Sequence, residues 1–184
     1  MTAFSMETCY RLMYTIIIIK FGLELERLYV FILEVNKMNV MIVGAGKLGT
    51  KLAESLVDEN IDVTVIDVDM KVLDGLNEHL DVLTVVGNGI DIRILKDLDI
   101  GKYDLLVAST GSDETNTLIC SLAKKLGCMQ TIARIRNPEY MQQLDFIKAE
   151  MGIDLIINPD LATAISIEKY LLKTYGFYSG DFAS

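Results

Sequence analysis

Residues Asn39–Gly49 read NVMIVGAGKLG, an apolar run that ends in Gly44-x-Gly46-x-x-Gly49, and Asp67 closes the next apolar run, 18 positions beyond Gly49. Three glycines at this spacing divide three tasks: Gly44 permits a tight turn off a strand, Gly46 lets a diphosphate approach bare backbone, and Gly49 lets a helix lie close to a sheet. The residues between them, Ala45, Lys47 and Leu48, bring their N–H groups to the helix start, where the helix dipole favours an anion. An acid roughly 20 residues on is placed to accept both hydroxyls of an adenosine ribose and to repel a 2′-phosphate. The stretch therefore predicts a strand, a phosphate-binding turn and a helix, with Asp67 and its neighbour Val68 beside the ribose.

Working outward, short β-branched runs recur at Val40–Val43, Val63–Ile66, Val82–Val86, Leu105–Ala108, Thr131–Ala133 and Leu155–Ile157. Between them lie helical stripes, such as Leu48, Leu52, Leu56 and Val57, or Leu118, Ile119, Leu122, Ala123 and Leu126. Pro138, after Asn137 as cap, predicts a helix start running through Met141, Leu144, Phe146 and Ile147. A β-α unit repeated six times predicts an α/β fold of the Rossmann type: a doubly wound, parallel, six-stranded sheet with helices on both faces, its ligand crevice beyond the carboxyl ends of the strands.

Loops after those ends supply the remaining candidates. Asn88 and Gly89 follow the third strand and offer hydrogen bonds to an adenine edge. Ser109, Thr110, Gly111 and Asn116 lie in and after the fourth loop, where they can close over ribose or phosphate. Ser112 or Asp113 suits the cap of the helix that follows. Arg134, at the end of the fifth strand, reads as the one arginine placed to reach the crevice.

Composition narrows the function classes. The chain has 184 residues, a formal net charge of −9, three cysteines, one histidine and no tryptophan. An acidic surface repels phosphate backbones, which excludes nucleic acid as an expected partner. Cys9, Cys120 and Cys128 have no metal-ligand spacing and read as reduced, buried thiols. His79, alone near a helix end, reads as a surface residue.

Residues 1–37 differ from the rest. Ile16–Ile19 and Leu28–Leu33 are interrupted by Lys20, Glu24, Glu26 and Arg27, so neither run reaches the ~18–20 apolar residues of a membrane span. The expected division is an atypical extension, 1–37, possible through an upstream start; a nucleotide-binding domain, 38–158; and a crossover helix with tail, 159–184. On the last helix, Leu161, Ile165, Leu172 and their apolar neighbours cover more than one face, which predicts a homo-oligomer interface.

As a set, MNVMIVGAGKLG with VTVID, the VVGNG turn, LLVASTGSDETN, IARIRNPEY and IINPDLATA resemble the TrkA N-terminal family, also called the RCK or KTN domain, from Met38 to about Leu172. The resemblance implies a non-enzymatic, cytoplasmic regulatory subunit that binds NAD(H), ATP, ADP or AMP. It would act at the inner face of the cell membrane, gating an integral-membrane potassium transporter or channel through a change in the geometry of a dimer or ring. It implies Gly44–Gly49 on the diphosphate, Asp67 on the ribose, and Thr110, Gly111 and Arg134 on the distal half. Lys47 takes the place where relatives often carry an Arg that reaches a terminal phosphate, and Asn88 stands where many carry Asp. The family's C-terminal ligand-binding domain is not expected before Ser184.

Two other classes are weighed by the residues. The NAD-binding domain of a dehydrogenase would need a second domain for substrate and a proton donor; no Tyr-x-x-x-Lys pair occurs, since Tyr170 and Lys173 are three apart. A nucleotide sensor gating something other than potassium transport would have the same cleft.

Overall fold

The computed structural model describes residues 38–137, Tyr140 and residues 143–175, all within the unit Met38–Ser184. The extension 1–37, with Cys9, and the helix start at Pro138 and Met141 lie outside the described residues.

Six strands alternate with six helices along the described chain: β1 (Asn39–Val43), α1 (Lys47–Asp58), β2 (Asp62–Asp67), α2 (Met70–Asn77), β3 (Leu83–Val86), α3 (Ile92–Asp97), β4 (Leu105–Ala108), α4 (Asp113–Lys125), β5 (Gln130–Arg134), α5 (Leu144–Met151), β6 (Leu155–Ile157) and α6 (Pro159–Tyr175). A short 3-10 turn, Ile100–Lys102, precedes β4. The sheet order is β3-β2-β1-β4-β5-β6, and all five neighbouring pairs are parallel. The chain builds outward from β1 to β3, then returns to lay β4 on the other side of β1. That reversal opens a crevice at the carboxyl ends of β1 and β4.

Unbroken apolar strands follow from burial on both faces. In β1, Val40 and Ile42 pack with Ala53, Val63, Val65, Leu73 and Leu76 on one side. Met41 and Val43 pack with Leu106, Ala108, Ile119, Cys120 and Ala133 on the other. Consecutive residues thus serve opposite layers. The third strand departs from this pattern: Leu83 and Val86 are 56% and 54% exposed, because β3 is a sheet edge.

The register sets the site. Val43 is level with Ile66 and Ala108, Asp67 with Val86, Ala108 with Ala133, and Arg134 with Ile157. Asp67, Gly44, Ser109 and Arg134 therefore form one row across four adjacent strands at the crevice. With strands ~4.8 Å apart, Asp67 and Arg134 stand about 14 Å from each other.

Candidate nucleotide cleft

The turn after β1 has the three-glycine geometry that its spacing predicts. Gly44 has φ of +102°, and a Cβ there would meet the Thr110 backbone N at 2.8 Å. A Cβ on Gly49 would run into the carbonyl oxygen of Gly44. A Cβ on Gly46 would meet nothing within 4 Å, so the space above this residue is open. Gly46 caps α1 without a side-chain hydrogen bond, whereas α2, α3 and α4 are capped by Asp69, Asp91 and Ser112. The first intrahelical bond runs from Thr50 N–H to the Gly46 carbonyl, which leaves the N–H groups of Lys47 and Leu48 ahead of the helical ladder. An anion fits that requirement.

Asp67 is already positioned. Its Oδ2 accepts the Ala45 N–H at 2.6 Å and its Oδ1 accepts the Asp69 N–H at 2.9 Å. Two backbone donors fix the carboxylate plane, and each oxygen keeps a second acceptor site for a hydroxyl. One acid thereby ties the glycine turn to the end of β2.

The opposite wall is built by buried polar groups. Ser109 donates to the Gly44 carbonyl at 2.9 Å, bracing the fourth loop against the glycine turn. Asn116 accepts from the Thr110 N–H and hydroxyl at 2.8 and 2.7 Å, and donates to the Arg134 carbonyl at 2.8 Å. Asn116 is fully buried. It stands behind the loop, with its hydrogen bonds committed to protein, so it positions Thr110 and does not reach the cleft. Ser112, not Asp113, caps α4, accepting the Thr115 N–H at 3.1 Å. Asp113 instead accepts the N–H groups of Arg136 and Asn137 at 2.9 and 2.8 Å.

Together these elements enclose an open cleft of about 590 Å³. Of the residues predicted from sequence, Gly44, Gly46, Asp67, Val68, Asn88, Gly89, Ser109, Thr110, Gly111 and Arg134 line it. Ala45 and Gly49 are buried beneath the turn, Lys47 is exposed beside it and Leu48 is half-buried, so these four shape the turn or its rim. Asn88 is exposed and its Oδ1 accepts the Ile90 N–H at 3.2 Å, an Asx turn. The lining also includes Val43, Ile66, Gly87, Ser112 and Thr115, which the sequence reading does not single out as ligand contacts.

The cleft is polarised, with the Asp67 carboxylate at one end and the Arg134 guanidinium at the other. Arg134 Nη1 lies 3.5 Å from the Thr110 carbonyl, and its buried Nε has no hydrogen-bond partner among the described residues. Arg134 is the arginine that lines the cleft, as its place at the end of β5 predicts, while Arg136 lies at the rim, where its Nη2 donates to the Gly111 carbonyl at 3.4 Å. Both follow from spacing, since residues two apart in extended chain share a face.

Elsewhere the chemistry is quiet. Burial pushes the Cys120 thiol up to about 12 and also raises Cys128, so both stay protonated at neutral pH. His79 is exposed past the end of α2 and does not line the cleft. Among the described residues, no helix is long and apolar enough to cross a membrane.

Comparison with known proteins agrees with this geometry. Residues 40–159 match the family model described as the TrkA-N domain. A Trk system potassium uptake protein TrkA homolog of Methanothermobacter thermautotrophicus is 35% identical over 136 residues, covering 74% of this chain and 61% of that protein. The Trk system potassium uptake protein TrkA of Haemophilus influenzae is 40% identical over 126 residues, 67% of this chain and 28% of that one. The chain thus spans about three fifths or less of the length of these relatives. Among solved structures, the TrkA-N domain of the inner membrane protein ybaL from Escherichia coli superposes with a TM-score of 0.64 at 22% identity, covering 72% of this chain and 96% of that one. The GsuK channel bound to NAD does so with a TM-score of 0.56 at 20% identity, covering 66% and 21%.

Proposed function

The chain belongs to the TrkA-N domain family, and on that footing we propose that it is a nucleotide-sensing regulatory unit of a potassium uptake system or channel. One observation carries the reading: an uncapped helix N-terminus beneath the open face of Gly46, in the same row as a carboxylate fixed for a ribose. The ligand is an adenine nucleotide or dinucleotide, NAD(H), ATP, ADP or AMP, with its ribose diol on Asp67 and its phosphate on the N–H groups of Lys47 and Leu48. Relatives named for potassium uptake, and a structural neighbour that carries NAD, support this assignment.

The unit performs no chemistry on the ligand. Asp67 and Arg134 are the charged groups lining the cleft, and on this reading both serve binding, Asp67 at the adenosine ribose and Arg134 at the distal half of the ligand. Binding acts by differential affinity: a nucleotide that prefers one arrangement of subunits shifts the population toward it, commonly by 1–3 kcal/mol. Residues 38–158 form the nucleotide domain and residues 159–184 the crossover to a second copy. The site of action is the cytoplasmic face of the membrane, reached through an integral-membrane partner.

The reading is tested by thermal shift. NADH at 100 times its dissociation constant should stabilise the protein by about 2.7 kcal/mol. NADPH should give a far smaller shift, because Asp67 is held by two N–H groups and cannot swing away from a 2′-phosphate. Equal shifts with the two cofactors would remove Asp67 from its assigned role.

A further inference from the structure

Three arginines lie among the described residues, and they are partnered differently. Arg93 is spent on Asp91, with contacts of 3.0 and 2.7 Å to its two carboxylate oxygens. Among the described residues, the side chains of Arg134 and Arg136 meet carbonyl oxygens, those of Thr110 and Gly111, at 3.5 and 3.4 Å. A neutral acceptor at such a distance is a weak partner for a guanidinium, since charge-assisted bonds are shorter and roughly twice as strong.

Among the described residues Arg136 makes no ion pair, although acids surround it. It lines a shallow depression of about 550 Å³ together with Asp113, Glu114 and Asp160, and this depression shares Gly111 and Ser112 with the nucleotide cleft. Each neighbouring acid has an alternative position or partner. Asp113 accepts two backbone N–H groups, Glu114 accepts the hydroxyls of Ser112 and Tyr140 at 2.8 and 2.7 Å, and Asp160 lies in the first turn of α6. Arg136 itself has its backbone held on both sides. Asp113 binds its N–H, and Asn158 Nδ2 donates to its carbonyl at 3.3 Å. A fixed backbone presents an exposed cation at the rim, beside Gly111, which the depression and the cleft share.

Resting on the nucleotide reading above, we propose that Arg136 is a specificity-determining residue that favours ligands carrying negative charge beyond the phosphate seated on α1. The row geometry supplies the reason. A ligand anchored at Asp67 places its first phosphate at the α1 N-terminus, on β1, while Arg136 follows β5, two strand spacings or about 10 Å further along the sheet. A monophosphate ends before that point. A longer polyphosphate runs toward it, and there would meet Asp113, Glu114 and Asp160 if Arg136 did not offset them.

The test measures dissociation constants of AMP, ADP and ATP by calorimetry for the full chain and for Arg136→Gln and Arg136→Lys. In the wild type, ATP should bind more tightly than AMP. Arg136→Gln should weaken ATP by about tenfold or more, the scale of one charged hydrogen bond, and leave AMP within about twofold. Arg136→Lys keeps the charge and should retain most of the ATP preference. Equal weakening of AMP and ATP by Arg136→Gln, or no change in either, would overturn the proposal. Failure of all three nucleotides to bind the wild type would overturn the nucleotide reading itself, and this inference with it.

Discussion

Gly49→Ala should unfold the protein's nucleotide domain far more readily than Gly46→Ala, although the two glycines are three residues apart in one turn. A Cβ at position 49 collides with the carbonyl oxygen of Gly44, backbone against backbone, and also approaches Ser109 Oγ at 2.9 Å. Neither can retreat, because Ser109 Oγ is bonded to that same carbonyl and Gly44 N–H to the carbonyl of Ile66 at 2.8 Å. Overpacking of this kind costs about 3 kcal/mol, a loss of roughly 6–12 °C in melting temperature for a domain of this size. At Gly46 a methyl meets nothing within 4 Å and φ is −70°, an ordinary value for alanine. Gly46→Ala should melt within a degree or two of the wild type. Its nucleotide affinity should nonetheless fall by at least about tenfold, because the methyl occupies the approach of the phosphate. Calorimetric melts with and without ADP separate the two effects; similar melting of the two variants would contradict the roles assigned to the turn.

The second large effect is expected on assembly. Every residue from Asp160 to Lys173 is exposed, including Leu161, Ile165, Ile167, Tyr170, Leu171 and Leu172. The loops of the domain do not cover this helix. Such an apolar surface is rarely left to solvent in a stable monomer, and on the proposed reading a second copy covers it. Replacing Ile165 and Leu172 together by Glu should convert the oligomer to monomers in light scattering. Because both side chains are exposed within one subunit, the double variant should keep the monomer's own stability within about 0.5 kcal/mol for each substitution and still bind nucleotide. A monomeric wild type at the same concentration would contradict the interface.

These effects show how differently the parts of the site are written into the sequence. The glycine turn and Asp67 were legible because each answers a local demand: a positive φ, a backbone collision, an open approach, an acid ending the neighbouring strand. Alternating β-branched runs and helical stripes placed all six strands to within a residue or two at each end. What stayed hidden depends on which strands become neighbours. VLTVV at 82–86 is as apolar as VMIV at 40–43, yet one is a half-exposed edge and the other the centre of the sheet, since strand order is a tertiary property. Asn116 illustrates the same limit. Its residue type and its position after a strand-end loop match a ligand contact, whereas its four polar contacts go to Thr110 and Arg134. The bond to Arg134 spans 18 residues and exists only because β4 and β5 pair. Arg136 was passed over for the opposite reason: it lies past the strand end, and only the bond to Gly111 draws it to the rim.

A crystal structure grown with saturating ADP would show whether this cleft holds an adenine nucleotide by the α1 N-terminus and Asp67. Phosphate density is expected within hydrogen-bonding distance of the Lys47 and Leu48 N–H groups, with both ribose hydroxyls on the Asp67 carboxylate. An empty α1 N-terminus at saturation, or ADP bound elsewhere on the molecule, would contradict it.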